Sequence, residues 1–101
     1  MIIIETSSNS KKVLNKISKT IINNKLSPCV HMSKMKSTYI WKNKIVEEKE
    51  YKLSIKTINK HKDAISKLIK DYHNYDVYEL SVSKVSSLNK EYIEWLTKEV
   101  N

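Results

Sequence analysis

The chain opens on a β-branched apolar run, Ile2-Ile3-Ile4, closed by the polar stretch Thr6-Ser7-Ser8-Asn9. A run this short predicts a buried strand followed by a turn. Ser8, Asn9 or Ser10 can cap the next element. Val13, Leu14, Ile17, Ile21 and Ile22 then recur at helical spacing, with Lys11, Lys12, Lys16 and Lys19 elsewhere around the helix. Asn23-Asn24 ends this helix and Pro28 blocks any continuation.

From Cys29 the period changes. Val30 and Met32 share one face of an extended segment; Tyr39 and Trp41 share the other face near its far end. Lys42-Asn43-Lys44 predicts a tight turn, in which Asn43 tolerates positive φ. The return strand is the clearest pattern in the chain: Tyr51, Leu53, Ile55 and Thr57 alternate with Lys52, Ser54 and Lys56. Asn59 can cap a second helix, with Ala64, Ile65, Leu68, Ile69 and Tyr72 inward. A last strand is expected where Tyr78, Leu80 and Val82 alternate with Glu79, Ser81 and Ser83. Asn89 caps a terminal helix that turns Tyr92, Ile93, Trp95 and Leu96 inward. The order β-α-β-β-α-β plus a helix predicts an α+β, ferredoxin-like fold: a four-stranded antiparallel sheet with helices on one face.

The central hairpin, roughly Cys29 to Ile58, is too long for that domain. Its arms run about 13 to 14 residues, where strands usually run about 5–6. At about 3.3 Å per residue an arm reaches about 40 Å, whereas a helix of about 15 residues spans about 23 Å. The overhanging tip carries Tyr39, Ile40, Trp41, Ile45 and Val46. An open apolar edge invites aggregation, and the controlled alternative is pairing with further copies of the same chain.

Composition narrows the picture. At 101 residues the chain is one domain. Its net charge is +8, all from Lys, without Arg or Gly. Lys, Asn, Ile, Ser and Tyr are the residues of A/T-rich codons, so the charge reads as lysines spread over solvated faces. Without Arg the planar fork favoured for phosphate recognition is missing, and no nucleic-acid partner is expected. An RNA-binding βαββαβ module is the competing reading, but Lys52, Ser54 and Lys56 occupy the face where it needs exposed aromatics. An acylphosphatase-like reading fails on its phosphate-binding arginine. No apolar run approaches the ~20 residues of a membrane span, and Met1-Ile2-Ile3-Ile4-Glu5 lacks a basic leader. With the single Cys29 unable to close an internal disulfide, a reducing, cytoplasmic setting is expected, with no membrane partner.

Several of these stretches resemble the CutA family of divalent-cation tolerance proteins. Leu26-Ser27-Pro28-Cys29-Val30 resembles L-A-A-C-V, and Ser37-Thr38-Tyr39-Ile40-Trp41-Lys42-Asn43-Lys44-Ile45 resembles S-x-Y-x-W-x-G-K-I. Glu47, Glu48 and Glu50 come next, then Leu53-Ser54-Ile55-Lys56-Thr57 resembles L-I-I-K-T. His73-Asn74-Tyr75-Asp76-Val77-Tyr78-Glu79-Leu80 resembles H-P-Y-E-V-P-E-I, and Tyr92-Ile93-Glu94-Trp95-Leu96 closes the match. Departures are Asn43 for the turn glycine, Asn74 and Tyr78 for two prolines, no glycine near Ser86-Ser87-Leu88, and an outgoing arm about one residue short. A looser loop before the last strand and an altered bulge are expected from them. The resemblance implies a homotrimer joined through the hairpins, a role in tolerance of copper and other divalent cations, no organic cofactor, and binding or signalling rather than catalysis.

Few residues offer candidate chemistry. Cys29 and His31, two apart on a strand, point to one face and offer a soft pair for copper or zinc. Cys29, which matches the family motif, is the metal candidate carried forward. The residue preceding the H-P-Y histidine, a proposed ligand in bacterial relatives, is Tyr72 here. Met32 and Met35 read as gap fillers and His61 as a solvated side chain. Tyr39, Trp41, Lys56, His73, Tyr75 and Glu79 match family motifs and are expected in a cleft between subunits, either as a ligand site or as packed interface. Glu47, Glu48 and Glu50 read as lysine partners or as charges that blunt an edge, or else as cation ligands.

Overall fold

The computed structural model describes residues 1–101. The N-terminal run forms β1 (Ile2–Ser8), and Ser10 starts α1 (Lys11–Asn23), its hydroxyl accepting from the Val13 N–H. The two arms are β2 (Cys29–Trp41) and β3 (Lys44–Thr57). A 3₁₀ turn (Asn59–His61) leads into α2 (Lys62–Tyr72), and β4 (Ser81–Lys84) precedes α3 (Lys90–Val100). The sheet order is β2-β3-β1-β4, every pair antiparallel. This is the ferredoxin-like arrangement read from the sequence.

The core is a sandwich of one sheet face and two helices. Ile2 and Ile4 of β1 and Leu53 and Ile55 of β3 meet Leu14, Ile17 and Ile21 of α1 and Ile65 and Ile69 of α2, all buried. Each such side chain contributes about 1.5–3 kcal/mol by leaving water. Period-2 strands and period-3.6 helices thus supply two apolar faces of matching size, which is why the elements form together. α3 buries Leu96 and Val100 and lies toward the opposite face, where the Lys56 ammonium stands 5.7 Å from the Tyr92 ring centroid.

Several local expectations change. β4 is only four residues, because residues 73–80 are spent crossing the end of β1. Tyr78 there stacks on His73, at 4.7 Å between centroids, and packs against the core instead of pairing in the sheet. Asn59 makes no side-chain cap, since the 3₁₀ turn precedes α2. Ala64, Tyr72 and Trp95 are exposed rather than buried, so the buried stripes are narrower than the spacing suggested.

The hairpin is unbulged. Its register runs unbroken from Cys29↔Lys56 to Trp41↔Lys44. The altered bulge expected from the shorter outgoing arm does not occur. Lys42 and Asn43 make the two-residue turn, both in the left-handed region at φ 50° and 64°, the geometry that matches strand twist. β1 accompanies β3 only as far as Ser8↔Tyr51. The seven pairs from Met35↔Glu50 to Trp41↔Lys44 project beyond it, about 24 Å of free hairpin at ~3.4 Å per residue. The molecule is 46 Å long against 27 and 20 Å in the other directions.

Candidate functional site

Where the hairpin leaves the sheet, the loop after α2 folds against its base. Strand alternation places Tyr39, Trp41, Glu48, Glu50 and Lys52 on the face turned away from α1 and α2. The loop brings Tyr75 and Glu79 to the same face. Together with Asn9, Asp76 and Val77 they border an open concavity of about 610 Å³.

Hydrogen bonds fix this corner. The Tyr75 hydroxyl donates to Glu50 Oε2 at 2.6 Å and accepts from the Asn9 N–H at 2.8 Å. The Tyr39 hydroxyl donates to Glu48 Oε1 at 2.5 Å. Burial, then the bond to Glu50, holds the Tyr75 hydroxyl well above the usual phenol range. The bond to Glu48 pushes Tyr39 up to about 12. Both phenols are therefore donors at neutral pH, and each directs one carboxylate. Glu50 is only 7% exposed, so Tyr75 is its compensation for leaving water.

His73 stands behind the concavity as a brace. Its Nδ1 accepts from the Tyr75 N–H at 3.0 Å and its Nε2–H donates to the Ser7 carbonyl at 2.8 Å. Both nitrogens are used and the neutral tautomer is set; burial holds its pKa below the ordinary 6.5. Asn74 ties the same loop to β1, accepting from the Ser8 hydroxyl at 2.5 Å and donating to Asn9 Oδ1 at 3.0 Å. The two proline replacements thus exchange ring restraint for side-chain bonds and stacking, in place of the looser loop expected. Glu79 accepts from Ser7 and Ser81, each at 3.2 Å, and pairs with Lys52 at 3.7 Å.

Of the residues singled out in sequence, Tyr39, Trp41, Tyr75 and Glu79 border one concavity and His73 braces it. Lys56 stands elsewhere within the chain: it is opposite Ile3, while Ser7, where the loop lands, is opposite Lys52. Four strand residues separate the two, about 13 Å. Glu50, Lys52, Asn9 and Asn74 complete the corner. Alternation around Tyr39 could have pointed to Glu50 and Lys52; nothing local marks Asn9 and Asn74. Glu47 pairs with Lys36 at 3.6 Å, as the lysine-partner reading had it, whereas Glu48 and Glu50 accept from the Tyr39 and Tyr75 hydroxyls instead. His61 is not a free solvated side chain, because its Nε2 donates to the Val100 carbonyl at 2.5 Å and fastens α3.

Cys29 and His31 lie at the opposite end of the sheet, on one face as expected, with Sγ 3.5 Å from Nε2. A tetrahedral ion held at about 2.3 Å from sulfur and about 2.0–2.1 Å from nitrogen sets its two donors about 3.5 Å apart. The pair therefore fits one soft cation as two of its ligands. No group of three His, Cys, Asp or Glu converges in the chain.

Comparison with known proteins agrees with this architecture. The family model described as CutA1 divalent ion tolerance protein matches residues 2–99. The chain is 30% identical over 99 residues to the divalent-cation tolerance protein CutA of Pyrococcus horikoshii, covering 98% of this chain and 97% of that one. It is 32% identical over 76 residues to a probable divalent-cation tolerance protein cutA homolog of Encephalitozoon cuniculi, covering 75% and 67%. A crystal structure of Pyrococcus horikoshii CutA superposes with a TM-score of 0.93 at 30% identity, over 100% of both chains. The PII-like protein CutA from Nostoc superposes at 0.89 and 25% identity, over 100% and 98%.

Proposed function

The chain belongs to the CutA1 divalent ion tolerance protein family, and on that premise we propose that it acts as a homotrimer in divalent-metal homeostasis, copper included, by binding rather than by catalysis. The observation that carries the reading is the free half of the hairpin. Seven strand pairs project past β1 with both edges open, and the tip leaves Ile40 and Ile45 77% and 78% exposed. A long edge of this kind with an apolar tip invites pairing, and a strand of another copy of the chain covers it. Two further copies in a closed ring supply that cover without leaving a free end. The concavity at the hairpin base then lies beside the joint, and Tyr39, Trp41, Tyr75 and Glu79 become residues of a cleft between subunits.

For metal, the supporting observation is the spacing of Cys29 and His31, with copper(I) favoured by the thiolate. Two donors leave positions for water or a second copy. A free thiol at an exposed pair suits a reducing, cytoplasmic setting. A binding role is supported by His73, Glu50 and Glu79, whose polar atoms are held by hydrogen bonds as structural braces.

Two measurements test the reading. Light scattering at micromolar concentration is expected to give three times the 11.9 kDa chain mass; a monomer would sink it. Calorimetric titration with copper under reducing conditions is expected to show binding that weakens at least about tenfold in Cys29→Ala, since losing even an outer partner of a metal ligand costs about that much. Equal affinity would remove Cys29 from the site.

A further inference from the structure

Every acidic residue but Glu5 lies at position 47 or beyond, so residues 6–46 carry nine lysines and no carboxylate. The fold gathers four of them. Lys11, Lys12, Lys16 and Lys19 are all exposed on the face of α1 opposite Leu14, Ile17 and Ile21. With Asn15 and Thr20 they line one shallow depression of about 520 Å³. The face continues onto the hairpin: Lys11 stands 5.9 Å from the Tyr51 ring centroid, and Lys34 is directly across from Tyr51 in the sheet. None of these five meets a carboxylate; the ion pairs of the chain are Lys36–Glu47, Lys52–Glu79 and Lys67–Asp71.

This arrangement works against the helix that carries it. Lys11 and Lys12 occupy the first turn, at the positive end of the helix dipole, with no acidic residue there and no basic residue in the last turn. Lys12, Lys16 and Lys19 succeed one another at spacings of four and three, where like charges repel. A helix optimised for solvation alone would place acids among them. A polyanion laid along α1 neutralises all of these charges together.

We propose that the outer face of α1 binds the phosphate backbone of duplex nucleic acid without regard to sequence. The missing arginines remove the bidentate fork on which the expectation of no nucleic-acid partner rests, but lysine still meets phosphate as a point charge, and α1 gathers four lysines on one face. A duplex is favoured over a single strand because no bare aromatic platform accompanies the lysines: Tyr51 and Tyr72 are overlain by Lys11 and Lys16. A lipid surface is disfavoured because the depression has no apolar lining to insert. The four lysines of α1 lie outside both the concavity and the hairpin strands, so they remain available alongside the proposed assembly.

The test is fluorescence anisotropy of a labelled 20-base-pair DNA with the whole protein. With three to four phosphates neutralised, affinity is expected to fall roughly 50- to 150-fold between about 50 and 200 mM KCl. The triple variant Lys12→Ala/Lys16→Ala/Lys19→Ala is expected to fold, since alanine suits a helix, and to bind at least about tenfold more weakly with a shallower salt slope. A matched variant, Lys60→Ala/Lys90→Ala/Lys98→Ala, removes equal charge from exposed positions elsewhere and is expected to bind as the wild type does. Equal weakening by both variants, no binding at low salt, or tighter binding to vesicles of phosphatidylserine than to DNA each overturns the proposal.

Discussion

Lys25 closes α1 in a place that glycine normally fills. Its φ is 54°, its N–H donates to the Ile22 carbonyl, and the Leu26 N–H donates to the Ile21 carbonyl, both at 3.0 Å. This is the paired bonding of a Schellman motif, with a Cβ where the left-handed backbone has little room for one. Lys25→Gly is expected to stabilise the protein by about 1 kcal/mol, read from urea midpoints, with relief of strain outweighing the entropy glycine adds to the unfolded chain. A loss of stability would show that the Lys25 stem contributes packing there. His73 carries the residue-scale dependence on pH. Its folded pKa lies below the unfolded 6.5, so its stabilising contribution is complete above pH 6.5 and is lost as pH falls from there through the folded value. Protonation puts a hydrogen on Nδ1, which the Tyr75 N–H occupies. Urea midpoints at pH 7.5 and 5.0 are expected to differ more for the wild type than for His73→Gln; identical differences would assign the acid sensitivity to other groups.

At the scale of elements, one hydroxyl joins three segments. Tyr75, on the loop after α2, bonds Glu50 of β3 and the backbone of Asn9 at the end of β1. Tyr75→Phe leaves the buried Glu50 carboxylate without its donor, and a loss of about 1.5–3 kcal/mol is expected, the range for bonds to charged groups. A cycle with Glu50→Gln should return a coupling energy above about 0.5 kcal/mol; additive losses would mean that the hydroxyl serves Asn9 alone. The same corner shows which features are legible in the sequence and which are not. The strands and helices are legible because each keeps one period: Leu53-Ser54-Ile55-Lys56-Thr57 alternates, and Leu14, Ile17 and Ile21 repeat at helical spacing. β4 reads too long because alternation through Tyr78, Leu80 and Val82 does not report where hydrogen bonding begins, and Leu80 and Val82 are themselves exposed. Tyr39, Trp41, Tyr75 and Glu79 stand out through motif resemblance. Asn9 and Asn74 do not, because polar contacts between residues 65 apart leave no local period.

At the scale of the molecule, the radius of gyration is 14.4 Å, above the ~13 Å of a compact chain this long, and the excess is the projecting hairpin. Its tip is where assembly can be separated from folding. Ile40 and Ile45 are directly across from each other on one face and largely exposed, so Ile40→Lys/Ile45→Lys removes no core contact. Exposed substitutions of this kind cost a single chain within about 0.5 kcal/mol each. In an assembly closed by the hairpins the same two lysines lie in the joint, where burying an unpaired ammonium is prohibitive. The variant is therefore expected to scatter as a chain of 11.9 kDa while keeping its circular dichroism spectrum. Folding stability supplies an independent reading, because association raises the melting temperature with protein concentration only while the joint forms. The wild-type melting temperature should climb across a hundredfold concentration series and that of the variant should stay level. A variant that keeps both the larger mass and the climb would move the joint away from the tip, toward the open edges nearer β1.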